Sequence, residues 1–440
     1  MDFIVLATLI IEVLVLSRLE KSVVITRITP FNVLAFPYAI VATFAFFLAP
    51  VFDFIPLSTG SLIVWMCGLF LVWMMGMLLG RGIFGSAVMR RVSEGLKSRF
   101  CGEASSGKLA DWLGIAAIPI LVYGLLRSVA AAGGWPAISS SEFTAAYSHG
   151  LPAHVIVLCA PLFVLLVGTA NNKTRLRLAV AGILMTFFLL GQAKGAVLQP
   201  LVGGLFYRVM RGHSSISVKN IGVVVLCGML AFGSVYLLGM GAADPGVVFN
   251  PDTYLFLGRY FSFYLVSGTL AFGEAISTGT KDVGGSPHAI FAPFQNVYNV
   301  VLGSGSLVIN GSSKGKGVGI DLTENSPDHS SNVYTFFGTL YLYLGALGSI
   351  GYVTITALLS YLLLMVAAWT KNEWMLVLYC YLSAQLFFGF FEFYLWHLTI
   401  FEVTAYMICL AVLTSSVRKR PERGAALATG YFGQEPGLPP

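Results

Sequence analysis

The sequence predicts an all-α, polytopic membrane protein with about eleven transmembrane helices, at roughly 20 residues for each span. Three observations predict this class. Apolar residues make up 57% of the 440 residues and charged residues only 10%, whereas a soluble domain carries about 25% charged residues. The apolar residues are grouped in runs that can cross a bilayer. The basic residues fall between alternate runs, which is the pattern of a multi-pass protein.

The predicted spans follow one another through most of the chain, so residues 1–417 are expected to form a single transmembrane domain. The run near 196–207 is short and contains Pro200, which predicts a broken or tilted helix. The apolar runs lie at 2–17, 31–50, 61–79, 112–131, 153–170, 178–191, 196–207, 220–240, 346–368, 374–391 and 398–416.

The basic residues predict the orientation of the chain. Cytoplasmic loops collect Lys and Arg, so we expect a bacterial inner-membrane protein with a periplasmic N-terminus and a cytoplasmic C-terminus. This bias accounts for the net charge of +6, and no nucleic-acid partner is indicated. The tail 418–440 is rich in Gly and Pro and is predicted to be disordered in the cytoplasm. Most of the 26 Lys and Arg residues lie in 18–30, 80–111, 171–177, 208–219, 370–373 and the tail.

The longest connection, about 241–345, is predicted to be external and to fold against the membrane surface. Within it, residues 256–276 have the pattern of an amphipathic helix whose polar half carries Arg259 and Glu274. We expect this helix to lie at the outer interface. Arg259 is then a candidate ligand for an anion, and Glu274 is a candidate acid or base. A surface helix with a solvated arginine is the alternative.

Two further cations lie near the predicted outer ends of spans. Lys194 stands in a very short connection between two spans, so its ammonium is held near membrane level, where an unpaired charge is costly. A bound anion such as a lipid pyrophosphate would offset that cost. Arg127 lies near the outer end of the fourth span. For both residues, snorkelling of the side chain to lipid phosphates is the alternative.

The end of the external loop, 325–335, concentrates polar and titratable residues before an aromatic stretch. His329 or Asp328 is a candidate base for a sugar hydroxyl. The alternative is a hydrated loop in which Asn332 caps the following helix. Other histidines, including His154, have no polar cluster around them in the sequence. Glu392 and His397 lie at another outer turn among aromatic residues.

The arrangement resembles the Wzy-type oligosaccharide repeat-unit polymerases, which share an architecture with the O-antigen ligases. The resemblance rests on a cation in a short outer turn (192–195), an Asn-x-Tyr-Thr stretch at the end of a large external loop (332–335), and a Gly-x-x-Gly entry to the next span (345–348). Two features differ from that family. It commonly has Arg at the position of Lys194, and often an acidic residue shortly before the Gly-x-x-Gly.

The resemblance implies a GT-C-like architecture and glycosyl transfer at the periplasmic face. One polyprenyl-pyrophosphate-linked oligosaccharide is the donor, and the pyrophosphate leaves as a hydroxyl of a second unit attacks. It implies no metal or other cofactor, and it makes membrane lipid, a chain-length regulator and a flippase the expected partners. The substrate-binding candidates are Lys194, Arg259, Arg127, Asn332 and Tyr334.

Two other functions remain open. One is the ligase activity of the same superfamily, which moves the glycan to a lipid core acceptor. The other is a transporter or flippase for lipid-linked glycans. A transporter predicts paired charges inside spans and internal repeats. The sequence indicates neither, and its intramembrane acids Glu12 and Glu402 are isolated.

Overall fold

The computed structural model of the protein is almost entirely helical, as the sequence predicts. The disordered tail predicted at 418–440 lies outside the residues that the structure describes. Those residues are 2–24, 26–83, 103–138, 140–170, 174–191, 194–214, 245–278, 287–302, 320–321, 330–331 and 333–417, together with 85, 94 and scattered positions between 222 and 241.

The described secondary structure consists of helices and one pair of two-residue strands, which lies in the long connection. Its register pairs Ile320 with Ser331 and Asp321 with Ser330, antiparallel. In chain order the elements are α1 (Asp2–Lys21), α2 (Pro30–Val51), α3 (Thr59–Met77), α4 (Glu103–Ala131), α5 (Ser141–Tyr147), α6 (Leu151–Thr169), α7 (Arg175–Leu190), α8 (Lys194–Met210), α9 (Pro251–Ser277), α10 (His288–Leu302), β1 (Ile320–Asp321), β2 (Ser330–Ser331), α11 (Phe336–Thr370), α12 (Glu373–Phe387) and α13 (Leu398–Val417).

Capping residues in the sequence fix several helix starts. The Thr29 side chain accepts a hydrogen bond from the third residue of its helix, Asn32, and Pro30 occupies the first helical position of α2. Asn250 and Pro251 begin α9 in the same way. A short oxygen-bearing side chain satisfies a free N–H at the helix start, and proline there loses no hydrogen bond.

Eight helices of the described chain are long and apolar enough to cross a membrane, which supports a multi-pass membrane protein. Seven of them correspond to predicted spans. The predicted spans in α1, α7 and α8 are helical, but α1 carries several charges and α7 and α8 have only 16 and 17 residues. The predicted span 220–240 lies largely outside the described residues. The count of eleven therefore stays a prediction.

The bundle has two ends, each tied together by contacts. The end formed by the connections 52–58, 132–150 and 388–397, with α9 across it, is called the loop end here. The connections 22–29, 211–214 and 371–372 form the opposite end. Alternation of the helices between these ends agrees with the predicted topology, whereas the orientation in a membrane stays a prediction.

The eighth candidate span is α9, which the sequence predicts to be an interface helix. Its neighbours are the loop-end connections: the Phe263 and Phe54 rings are 6.0 Å apart, and a Cβ at Gly273 would meet the Cβ of Ser58 at 2.8 Å. The helix therefore lies across the loop end. Its predicted polar face is not uniformly open, because Ser267 and Thr269 are buried. The neighbouring helices cover this half of α9, which periodicity along one segment does not reveal.

The chain folds back on itself at Gly345, inside α11. Phe336 and Tyr352 both contact the ring of Phe393, at centroid distances of 5.2 Å and 5.5 Å. Sixteen residues of straight helix would separate Phe336 from Tyr352 by about 24 Å. Gly345 breaks the helix with φ 68° and ψ −178°. Residues 336–344 thus form a hairpin with the first turns of the following helix, and they begin inside the bundle.

The base of this hairpin is fixed by side chains of α2 and α3. Trp65 donates its ring N–H to the Thr335 hydroxyl (3.3 Å), and that hydroxyl accepts the backbone N–H of Gly338 (3.0 Å). Thr335 is therefore the N-cap of α11. The alternative in which Asn332 caps this helix does not hold, because the helix begins at Phe336, four residues after Asn332.

Buried carboxylates occur at the opposite end, where the sequence indicates only polar loop residues. Glu20 is fully buried and accepts hydrogen bonds from the hydroxyls of Thr29 (2.6 Å) and Tyr361. Glu373 is also buried; it accepts a hydrogen bond from a tyrosine on α8 and lies 3.7 Å from the guanidinium of Arg211. Arg211 and Glu373 are far apart in sequence, but both lie outside the predicted spans 196–207 and 374–391. Their contact therefore does not test the expectation of no paired charges inside spans.

The hairpin requires a positive φ at Gly345. We expect Gly345→Ala to lower the free energy of unfolding by about 1–3 kcal/mol, because side chains strain this backbone conformation. A Cβ there would meet nothing within 4 Å, so the cost is conformational. Gly351→Ala is the matched control: it lies in the same helix, also in open space. It should be neutral or stabilising. Thermal unfolding in detergent measures both, and equal melting temperatures would contradict the hairpin.

Candidate functional site

The short connection containing Lys194 lies at the loop end, as the sequence predicts. Helix α7 ends at Leu190 and α8 begins at Lys194. The next residue, Gly195, packs against the ring of Tyr394, and a Cβ there would lie 3.3 Å from it. The side chain of Lys194 lies outside the described part of the structure. Its backbone places it in the first turn of a helix whose N-terminus favours anions.

The turn that Gly195 contacts carries a carboxylate and an imidazole. It links α12 to α13 through two short 3-10 segments, Phe388–Phe390 and Tyr394–Trp396. Glu392 Oε1 and His397 Nε2 lie 3.6 Å apart, and both side chains are partly exposed. The rings of His397 and Tyr394 stack with their centroids 6.0 Å apart. The first turn of α8 therefore lies beside an acid–base pair.

Helix α9 holds the other side of this turn. The Tyr264 and Phe391 rings stack at 5.7 Å with 25° between their planes. A Cβ at Gly268 would meet the carbonyl oxygen of Phe391 at 2.5 Å, so glycine allows the helix to approach the turn this closely. The amphipathic helix predicted from the sequence thus contributes aromatic side chains to the site.

A buried amide pair lies one turn behind the start of α8. Gln385 on α12 donates to the side-chain carbonyl of Gln199 at 2.8 Å, and both residues are buried. The Gln199 amide nitrogen has no hydrogen-bond partner among the described residues. It lies near Gly195, 3.2 Å from the position of a Cβ there. Its N–H groups are therefore free donors close to the α8 N-terminus.

A second acid–base pair joins α6 to α13. His154 Nδ1 lies 2.7 Å from Glu402 Oε1, and the Tyr406 hydroxyl donates to the same oxygen at 2.9 Å. The expectations that His154 has no polar neighbours and that Glu402 is isolated were both wrong. The residues are 248 positions apart, so only the packing of α6 against α13 brings them together.

Helix packing places this second pair level with the start of α8. Helices α6 and α8 run in the same direction, and a Cβ at Gly203 would meet Val164, just as one at Gly168 would meet Tyr207. Both contacts join residues 39 positions apart. With the same rise in each helix, His154 lies level with the start of α8. Closely packed helix axes are about 8–10 Å apart, so the His154 backbone is within about one helix spacing of the α8 N-terminus.

The structure does not gather all the predicted site residues. Arg259 is exposed on α9, about 7.5 Å along the helix from Tyr264 at 1.5 Å per residue. Glu274 is partly exposed and accepts a hydrogen bond from Ser277 at 3.3 Å. Fifteen residues separate Arg259 from Glu274, or about 22 Å of helix. The two side chains therefore cannot act on one reacting centre.

Arg127 and Tyr334 occupy structural positions. Arg127 is exposed and its guanidinium lies 3.4 Å from the carbonyl of Ala146, in the connection before α6. Tyr334 is buried beside the base of the hairpin, and its hydroxyl has no partner among the described residues. Burial raises the pKa of the Tyr334 hydroxyl above its usual range, so this group remains a neutral donor.

The predicted base region lies outside the described residues. This holds for His329, Asp328 and Asn332, and their roles stay predictions. Within the described chain, no group of three or more His, Cys, Asp and Glu residues could hold a metal ion.

The fold and the site define a multi-pass α-helical membrane protein with two acid–base pairs at the loop end. Residues 51–420 match the family model described as a family of unknown function, DUF6337, and the chain belongs to that family. No curated protein and no solved structure matches the chain. The matched region contains both acid–base pairs and the start of α8.

The buried amide pair generates a stability prediction. Gln385→Leu should lower the free energy of unfolding by about 1–3 kcal/mol, because it leaves the Gln199 amide buried without its partner. The double variant Gln199→Leu/Gln385→Leu should recover most of that loss, since both polar groups are then removed. The melting temperatures of the single and double variants in detergent measure the two effects. A double variant as unstable as Gln385→Leu would contradict the pairing.

Proposed function

We propose that the protein joins polyprenyl-pyrophosphate-linked oligosaccharide units at the periplasmic face of a bacterial inner membrane. The observation that carries this proposal is the contact of Gly195 with Tyr394. It brings the predicted phosphate-binding turn to the segment that holds Glu392 and His397. A glycosyl transfer needs a cationic site for the leaving group and a base for the attacking hydroxyl. The turn at Lys194 supplies the first, and titratable side chains at the loop end supply candidates for the second.

The start of α8 suits the donor pyrophosphate. A helix N-terminus offers free backbone N–H groups and a positive dipole end, and Lys194 adds a full charge. Gln199 adds amide donors that are buried and without a partner among the described residues. Charge that develops on the leaving pyrophosphate is stabilised best by such fixed donors. Arg259, exposed one and a half turns from Tyr264, is proposed to contact the same lipid-linked donor.

Aromatic rings next to this position suit a glycan. Tyr264, Phe391 and Tyr394 lie in or against the turn at the loop end, and such aromatic groups suit contact with sugar rings. The apolar exterior of the bundle suits the polyprenyl chain, because this long hydrocarbon stays in contact with lipid. The GT-C-like architecture, a chain-length regulator and a flippase as partners belong to this proposal.

A transporter of lipid-linked glycans is the second candidate. The buried pair of Arg211 and Glu373, at the ends of α8 and α12, favours it, because buried ionisable residues of membrane proteins often mark ion or substrate pathways. That pair lies at the end opposite to the candidate site. Proteoliposomes with lipid-linked units on one side separate the two functions: a polymerase makes longer glycans, whereas a transporter moves unchanged units. The ligase alternative requires a lipid core acceptor for any product to form.

The donor site makes a prediction for the two cations. Lys194→Ala and Arg259→Ala should each reduce chain elongation about tenfold or more, because a hydrogen bond to a charged group contributes about 1.5–3 kcal/mol. Lys194→Arg should retain more activity than Lys194→Ala, since it keeps the charge. The measurement is the length distribution of glycans in cells that lack the chain and carry each variant.

The control is Lys21→Ala, which removes an exposed lysine at the opposite end of the bundle. At equal abundance in the membrane, this variant should produce glycans of wild-type length. Normal glycan lengths in both Lys194→Ala and Arg259→Ala would contradict the phosphate assignment.

A further inference from the structure

We propose that His154 is the general base that deprotonates the acceptor hydroxyl and that Glu402 is its positioning residue. This inference rests on the proposed function and assigns the base within it. The observation that carries it is the 2.7 Å contact between His154 Nδ1 and Glu402 Oε1. No property of either residue in the sequence indicates this pairing.

The hydrogen bonds determine which nitrogen of the ring can act. An ionised carboxylate only accepts hydrogen bonds, so the Nδ1 facing Glu402 carries the proton and Nε2 carries the lone pair. The Tyr406 hydroxyl donates to the same carboxylate oxygen at 2.9 Å and holds it in place. The His154 side chain is 62% exposed, whereas that of Glu402 is 19% exposed. The ring therefore presents its basic nitrogen outward from a fixed carboxylate.

The position of the pair fits an acceptor that arrives from the membrane. Helix α13 is the least buried of the candidate spans and the His154 side chain is mostly exposed, so the pair lies at the surface of the bundle. His154 is level with the start of α8, about one helix spacing away by the packing of α6 on α8. An acceptor bound at His154 thus lies next to a donor whose pyrophosphate occupies the α8 N-terminus.

Other described histidines at the loop end are less suited to this role. His397 lies 3.6 Å from Glu392 and stacks on Tyr394. His149 has its Nδ1 directed at the backbone carbonyl of Ala145, with no carboxylate in contact among the described residues. His154 has the shortest contact of these with a carboxylate, and a carboxylate stabilises the imidazolium that forms when a base takes a proton.

The acceptor hydroxyl transfers its proton to His154 Nε2 as its oxygen forms a bond to the anomeric carbon of the donor glycan. The bond between that carbon and the phosphate oxygen breaks, and the polyprenyl pyrophosphate leaves with the electron pair. The imidazolium, paired with Glu402, then releases its proton to water.

Chemical rescue tests the assignment directly. The purified protein is given undecaprenyl-pyrophosphate-linked oligosaccharide extracted from cells that lack the chain, and initial elongation rates are measured. We expect His154→Ala to lose about 10²–10⁴-fold in rate, the usual contribution of general base catalysis. Added imidazole should restore part of that rate. Glu402→Gln should lower kcat with little change in KM, because it alters the orientation and charge of the base and leaves donor binding intact.

His149→Ala is the matched control, an exposed histidine at the same end, and it should retain the wild-type rate with no response to imidazole. A wild-type rate in His154→Ala would overturn the assignment, and so would a loss that imidazole does not rescue in a protein with wild-type melting temperature. A loss of elongation rate in His329→Gln, with a wild-type rate in His154→Ala, would assign the role of general base to His329. A wild-type protein that elongates nothing would instead overturn the proposed function, and the base with it.

Discussion

The Tyr38 hydroxyl joins the two places where the chain stops being regular helix inside the bundle. It donates to the carbonyl of Gly389 at 2.8 Å and accepts the backbone N–H of Phe337 at 3.5 Å. In an apolar surrounding, every backbone polar group must find a protein partner, since none can be left to water. One fully buried tyrosine on α2 therefore provides a hydrogen-bond partner for a carbonyl at the break after α12 and for an N–H at the start of the hairpin helix.

The candidate site depends on this arrangement. The break after α12 produces the turn that carries Glu392 and His397, and α9 packs on that turn through Tyr264. The hairpin that ends at Gly345 fills the space on the other side, with Phe336 in contact with Phe393. This packing below the turn keeps the polar groups of the turn at a fixed distance from the start of α8. Fixed donors and bases are what a glycosyl transfer requires, because reorganisation during the reaction raises the barrier.

The helices were predictable because hydropathy and charge are local properties of the chain. The short turn at Lys194, the helix from Pro251 to Ser277 and its place at the loop end follow from runs of apolar residues and from where the cations stand. The fold-back at Gly345 was only partly visible: the Gly-x-x-Gly marked a turn, but nothing in the sequence indicated that Phe336 enters the bundle. The register between distant helices decides that.

The pairs of charged residues escaped prediction for the same reason. His154 and Glu402 are each unremarkable among their neighbours in sequence, and so are Arg211 and Glu373. Each pair forms because two helices far apart in the chain pack at one level. The available signal was a histidine at the start of one predicted span and a glutamate at the same depth in another. Depth alone does not indicate which spans are neighbours.

The central claim is that the lipid pyrophosphate binds at the start of α8, and photocrosslinking tests it most directly. A polyprenyl pyrophosphate with a photoreactive group beside the phosphates is irradiated with the protein in nanodiscs, and the labelled peptides are mapped by mass spectrometry. We expect labels within residues 191–199 and 388–402, and competition by unlabelled polyprenyl pyrophosphate. Labels confined to the opposite end, around Glu20 and Glu373, would contradict the account.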